Sequence, residues 1–127
     1  MPEFLQEKIT SAKVDLSYLE EIAGGSNDFI IEMIDMFLNQ TPGYLNDIKK
    51  GIVEKNWKTV SEIAHKIKPT LAFMGSDSAR ETMALIEFNS KNLVELNKIE
   101  SIFDDLHVFC LQLCENLKVT KEQLPKD

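Results

Sequence analysis

The chain has 127 residues, 43% of them hydrophobic, which fits one domain with one core. No apolar run approaches the roughly 18 residues that span a bilayer, and a formal charge of −7 argues against nucleic acid as a main partner. The first ten residues, MPEFLQEKIT, carry two acids and no small-residue cleavage pattern, so they do not read as a secretory signal and the default compartment is the cytoplasm.

Apolar residues recur at spacings of three and four throughout, which predicts an all-α chain. Residues 1–13 carry only a weak pattern (Phe4, Leu5, Ile9) and read as an N-terminal extension, either a docking helix or a tail. Asp15 suits the N-cap of a short helix with Leu16, Leu19 and Ile22 inward, stopped by Gly24-Gly25. Ser26 or Asn27 caps the next helix, which runs to about residue 52 with Phe29, Ile30, Met33, Ile34, Phe37, Leu38, Leu45, Ile48 and Ile52 inward. Pro42-Gly43 predicts a bend in it.

Asn56 caps a third helix whose stripe is Trp57, Val60, Ala64, Ile67, Leu71 and Met74, a regular bundle seam. Gly75 ends it, and Ser76 caps a fourth helix with Ala79, Thr82, Met83 and Ile86 inward. Asn89–Asn92 reads as a turn, and a last helix spans about Leu93 to Val119. Residues 121–127 read as a polar tail. Short connections between long helices predict an up-down-up-down four-helix bundle over residues 14–120, with the short first helix over one end.

Chemistry-bearing residues are few. Cys110 and Cys114 lie four apart in a helical pattern and read as core thiols, not as a disulfide. With His107 they make three candidate metal ligands, short of a site and without loop spacing. Glu62 and His65 form a single E-x-x-H, but a di-metal bundle needs a second such pair and two further inward glutamates. No metal and no cofactor is expected.

His65 is the more informative histidine. At about 100° per residue it lies far round from Ala64 and Leu71, on the outward side of the third helix. Lys68 is one turn along, placed to neutralise an anionic group on the ring. Pro69, Ala72 and Phe73 form an apolar strip beside it, which reads as a docking rim.

The stretch Ala64–Gly75, AHKIKPTLAFMG, resembles the signature of the histidine-containing phosphotransfer (Hpt) domain family, A-H-x-L-K-G-S-x-x-x-x-G. Ala64, His65, Lys68 and Gly75 are in register, and Ile67 stands for the leucine. Asp15–Leu19 is similar to the family's opening D-L-x-x-L, Phe37-Leu38 with Pro42 to its second helix, and Asn56-Trp57 to its usual Asp-Trp or Asp-Phe. The likeness spans about residues 14–118. Pro69 departs from the usual glycine; lacking an N–H, it leaves the His65 carbonyl without its helical partner, so a kink or a solvated carbonyl is expected there.

The resemblance implies a phosphorelay intermediate without an ATP site. His65 would take a phosphoryl group through Nε2 from a receiver-domain aspartate, in a response regulator or a hybrid sensor kinase, and pass it to another receiver. Lys68 would neutralise the phosphoryl charge. Mg²⁺ would come with the receiver, and a monomer is expected. No G-x-x-x-x-G-K-[ST] loop is present, in keeping with that role. Gln40, near the Pro42 bend, is a further polar candidate for the site. The alternative is a non-catalytic helical adaptor, which intact His65 and Lys68 argue against.

Overall fold

In the computed structural model, residues 14–125 are described, and every regular element among them is a helix. The order is α1 (Ser17–Ala23), α2 (Asn27–Val53), α3 (Trp57–Phe73), α4 (Asp77–Asn92) and α5 (Leu96–Gln123). The weak pattern at Phe4, Leu5 and Ile9 lies outside the described residues.

Each long helix buries one stripe. Ile34, Leu45 and Ile48 of α2 meet Val60, Ala64, Ile67 and Leu71 of α3, with Met83 and Ile86 of α4 and Phe103, Leu106 and Leu113 of α5. Full burial of one such aliphatic side chain contributes about 1.5–3 kcal/mol, so these stripes, more than propensity, hold the helices. Helix α2 packs on α3, α3 on α4, α4 on α5 and α5 back on α2. Trp57, at the start of the α3 stripe, is only half-buried.

Side-chain oxygens meet backbone N–H groups at three helix starts, but the cap position of α1 is Leu16, one residue past the expected Asp15, and bears no side-chain cap bond. The Asp15 carboxylate accepts the Ser17 N–H at 3.0 Å, Ser26 Oγ accepts the Phe29 N–H at 3.2 Å, and Asn56 Oδ1 accepts the Thr59 N–H at 3.3 Å. Ser76 holds the cap position of α4, yet its buried Oγ makes no cap bond and finds no partner among the described residues.

Three further expectations are corrected. Ile22 is not inward but 48% exposed. The buried face of α1 is set by Leu16 and Leu19 with half-buried Ala23, and Ile22 lies about 100° round from Ala23. Asn89–Asn92 is not a turn but the last turn of α4. Ser90 Oγ donates to the Ile86 carbonyl at 2.7 Å and Asn92 Nδ2 to the Phe88 carbonyl at 2.8 Å, so these polar groups are satisfied without leaving the helix. The connection is Leu93–Glu95, with Leu93 at φ 57° and Glu95 at φ 48°. Finally, α5 continues past Val119 to Gln123, into the segment read as a tail, where Lys121 Nζ reaches Asp35 of α2 at 2.6 Å.

Both prolines expected to disturb helices sit inside unbroken ones, Pro42 in α2 and Pro69 in α3. Both are exposed, so the carbonyls they leave unpaired, those of Leu38 and His65, lie on accessible sides. Helix α3 closes with paired bonds from Ser76 N–H to the Leu71 carbonyl and from Gly75 N–H to the Ala72 carbonyl, both 3.0 Å. Gly75 takes φ 81°, and a Cβ there would run into the Asp15 backbone. The start of α1 therefore rests on the end of α3, which brings Tyr18 beside Phe73.

Candidate functional site

His65 and Lys68 project from the outward side of α3, one turn apart. The His65 side chain is 70% exposed, as its place off the core stripe predicts, and Lys68 is 28% exposed. What joins them is a carboxylate from the neighbouring helix. Glu87 of α4 sends Oε2 to His65 Nδ1 at 2.8 Å and Oε1 to Lys68 Nζ at 2.6 Å. One carboxylate thus holds both side chains, and at 19% exposure it is the least accessible of the three.

The electrostatics follow from that fork. Partial burial works to raise the Glu87 carboxyl, but the hydrogen bonds from Lys68 and His65 outweigh it and hold it below its ordinary value of 4.5. An ionised Glu87 is an acceptor only, so Nδ1 carries the proton and donates it. In the neutral ring the lone pair then resides on Nε2, on the far side of the ring from Glu87. The arrangement presents one nucleophilic nitrogen to solvent, with an ammonium group a helical turn away.

Sequence reasoning did not find Glu87. It sits one residue past Ile86, at the edge of the buried stripe. Folding α4 back along α3 about the Met74–Ser76 connection brings positions 82–87 level with 65–68, and Glu87 is the only titratable residue among those six. That reflection was the available signal. Gln40, the polar candidate, is placed elsewhere: it lines a small cavity with Met36, Tyr44, Thr70 and Phe73 on the α2 side of α3.

The expected docking strip is partly altered. Pro69 is exposed and Ala72 half-buried. Phe73 is not an open aromatic surface; it is half-buried and packed on Tyr18 of α1, ring centroids 5.4 Å apart. Tyr18, 51% exposed, is the aromatic that faces outward there. Pro69, Ala72, Phe73 and Tyr18 line one depression. On the other side of His65 an open groove of about 800 Å³ lies between α3 and α4.

The second histidine and the cysteines do not form a centre. His107 lies against Phe103, centroids 5.3 Å apart. Burial pushes the Cys114 thiol up to about 11 and raises that of Cys110 further, so both stay protonated at neutral pH. Glu62 is exposed, away from the core. Among the described residues no three metal-binding side chains cluster, and no helix is long and apolar enough to cross a membrane.

A model of the Hpt domain family matches residues 32–118, which include α3, α4 and the whole fork. No curated protein and no solved structure matches the chain. The chain belongs to the histidine-containing phosphotransfer domain family, whose members are helical bundles that carry phosphoryl groups in two-component signalling. They are carriers rather than catalysts with an ATP site of their own, and they work with receiver domains and kinases.

Proposed function

We propose that this protein is a phosphorelay intermediate that accepts a phosphoryl group on His65 from a receiver-domain phosphoaspartate and passes it to a second receiver. The observation that carries this is the Glu87 fork: Nδ1 is committed at 2.8 Å, which leaves Nε2 as the free, exposed nucleophile. In the forward step Nε2 attacks phosphorus in line, a P–N bond forms, and the P–O bond to the aspartate breaks as its carboxylate leaves. Attack puts positive charge on the imidazole, and Glu87 accepts the Nδ1 hydrogen bond that stabilises it. Lys68 meets the phosphoryl oxygens. Transfer to the second receiver reverses these steps.

Glu87 is a positioning residue in this scheme, acting through His65 and Lys68. The rest is orientation and charge neutralisation, which dominate phosphoryl transfer. Pro69, Ala72 and Phe73, with Tyr18 added, form an apolar rim where a receiver docks. The receiver brings Mg²⁺, and this chain uses no cofactor of its own. A cytoplasmic monomer fits the reading. So does an up-down-up-down order of the four long helices, which connections of three residues between them support.

The test is direct. Incubation with a phosphorylated receiver and Mg²⁺ should give acid-labile, alkali-stable phosphate on the protein, absent from His65→Gln. A wild type that stays unlabelled with every receiver of a broad panel, or a His65→Gln variant labelled equally, overturns the proposal.

A further inference from the structure

We propose that the groove on the α3–α4 side of His65 is a cationic cradle for the acidic rim of the receiver, and that it sets the receiver's orientation over the histidine. This rests on the relay reading above and adds to it a second, electrostatic half of the docking surface.

Positive charge is compensated over part of the chain and left open elsewhere. Lys49, Lys68, Arg80, Lys98, Lys118 and Lys121 each pair with a carboxylate. Among the described residues Lys50, Lys55, Lys58, Lys66 and Lys91 form no ion pair, and three of these five, Lys58, Lys66 and Lys91, line the groove that His65 lines. Glu87 also faces it but is already compensated by Lys68. The free charge on the groove is therefore three lysines against the single carboxylate of Glu62. In a chain of net charge −7, free lysines gathered round the reactive histidine are not a solvated average.

Placement matters as much as charge. Lys66 adjoins His65, and Lys58 lies two helical turns before it, about 10 Å along α3. Lys91 lies one turn beyond Glu87 on α4. At about 10 Å, Lys58 lies close to the roughly 10 Å Debye length at 0.1 M salt, so its field at His65 depends on salt. Leu93, 63% exposed, adds apolar surface beyond Lys91. The occupant follows from chemistry. A phosphoaspartate that works with a divalent cation sits among carboxylates and carries its own negative charge. Its rim complements a lysine groove, whereas the overall negative charge repels a nucleic-acid backbone. Docked with its acidic rim on the groove and apolar surface on Pro69, Ala72 and Tyr18, a receiver has one orientation with its phosphoaspartate over Nε2.

The experiment measures second-order transfer from acetyl-phosphate-charged receiver domains to the full chain at low and high ionic strength. The double variant Lys58→Glu/Lys91→Glu should transfer about tenfold or more slowly at low salt, with the gap narrowing as salt screens it. Lys58→Arg/Lys91→Arg should keep the wild-type rate. In parallel, amide shifts of wild-type protein titrated with the unphosphorylated receiver should move at Lys58, Lys91 and Leu93; this holds the test open if the reversed variant fails to fold. A folded charge-reversal variant with wild-type rate and salt dependence, or shifts confined to the Pro69–Phe73 side, overturns the cradle and leaves the relay standing. A wild type that no receiver labels or binds overturns both.

Discussion

Two faces of the bundle treat charge in opposite ways. Where α2 meets α5, lysines and carboxylates close into one-to-one pairs: Lys49 with Asp104 at 2.9 Å and Lys121 with Asp35 at 2.6 Å. Where α3 meets α4, one carboxylate serves both His65 and Lys68, and three more lysines form no ion pair among the described residues. The closed pairs are exposed at both ends, so they tie helices together weakly and offer a partner nothing. The open face keeps its charge available. Exposed ion pairs are worth little to folding; the same residues left unpaired are worth more to recognition. The difference separates a face of closed ion pairs from a face of open charge in a molecule whose helices otherwise look alike.

The largest effect should come from breaking the open face at its chemistry. Lys68→Ala should fold normally and slow phosphoryl transfer roughly tenfold or more, about 1.4 kcal/mol for each factor of ten. A wild-type rate would remove Lys68 from the site. Glu87→Gln comes next. It keeps a hydrogen-bonding group opposite Nδ1 but loses the charge, so single-turnover transfer should fall a few-fold, and Glu87→Ala should fall further. Equal rates for all three proteins would leave the fork a structural feature only.

Glu87 also makes a pH prediction. Its folded carboxyl sits below the ordinary 4.5, so its stabilisation is fully present above about that pH and is lost as pH falls through the lower folded value. Urea unfolding of wild type and Glu87→Gln should therefore differ most near neutrality and converge as pH drops below 4.5. Parallel curves through that range would show that the carboxylate gains nothing from Lys68 and His65. The smallest effect belongs to the closed face. A double-mutant cycle on Asp35 and Lys121 should return about 1 kcal/mol or less, with phosphoryl transfer unchanged. A slowed transfer there would erase the contrast between the two faces.

Much of this was legible in the sequence. The seam Val60, Ala64, Ile67, Leu71 fixes which side of α3 is buried, and hence that His65 is exposed, because a helix cannot turn a residue inward without turning its neighbours out. Caps at Ser26 and Asn56 mark helix starts by local chemistry alone. The errors arose where local chemistry has two solutions. Asn89 and Ser90 look like turn residues, yet their side chains found a helical environment, Ser90 by bonding back to Ile86. Phe73 lies off the stripe and reads as exposed, but α1 returns over the end of α3 and sets Tyr18 on it.

The sequence by itself determined the helices, the buried stripes and the exposure of the histidine with its lysine one turn away, since all of these follow from periodicity within single segments. Only the tertiary structure decided that a glutamate 22 residues downstream closes the fork and selects Nε2. It alone decided that lysines on two helices share one groove. Both depend on how α4 is laid against α3, and the rotation of one helix about another is set by core packing that no single segment encodes.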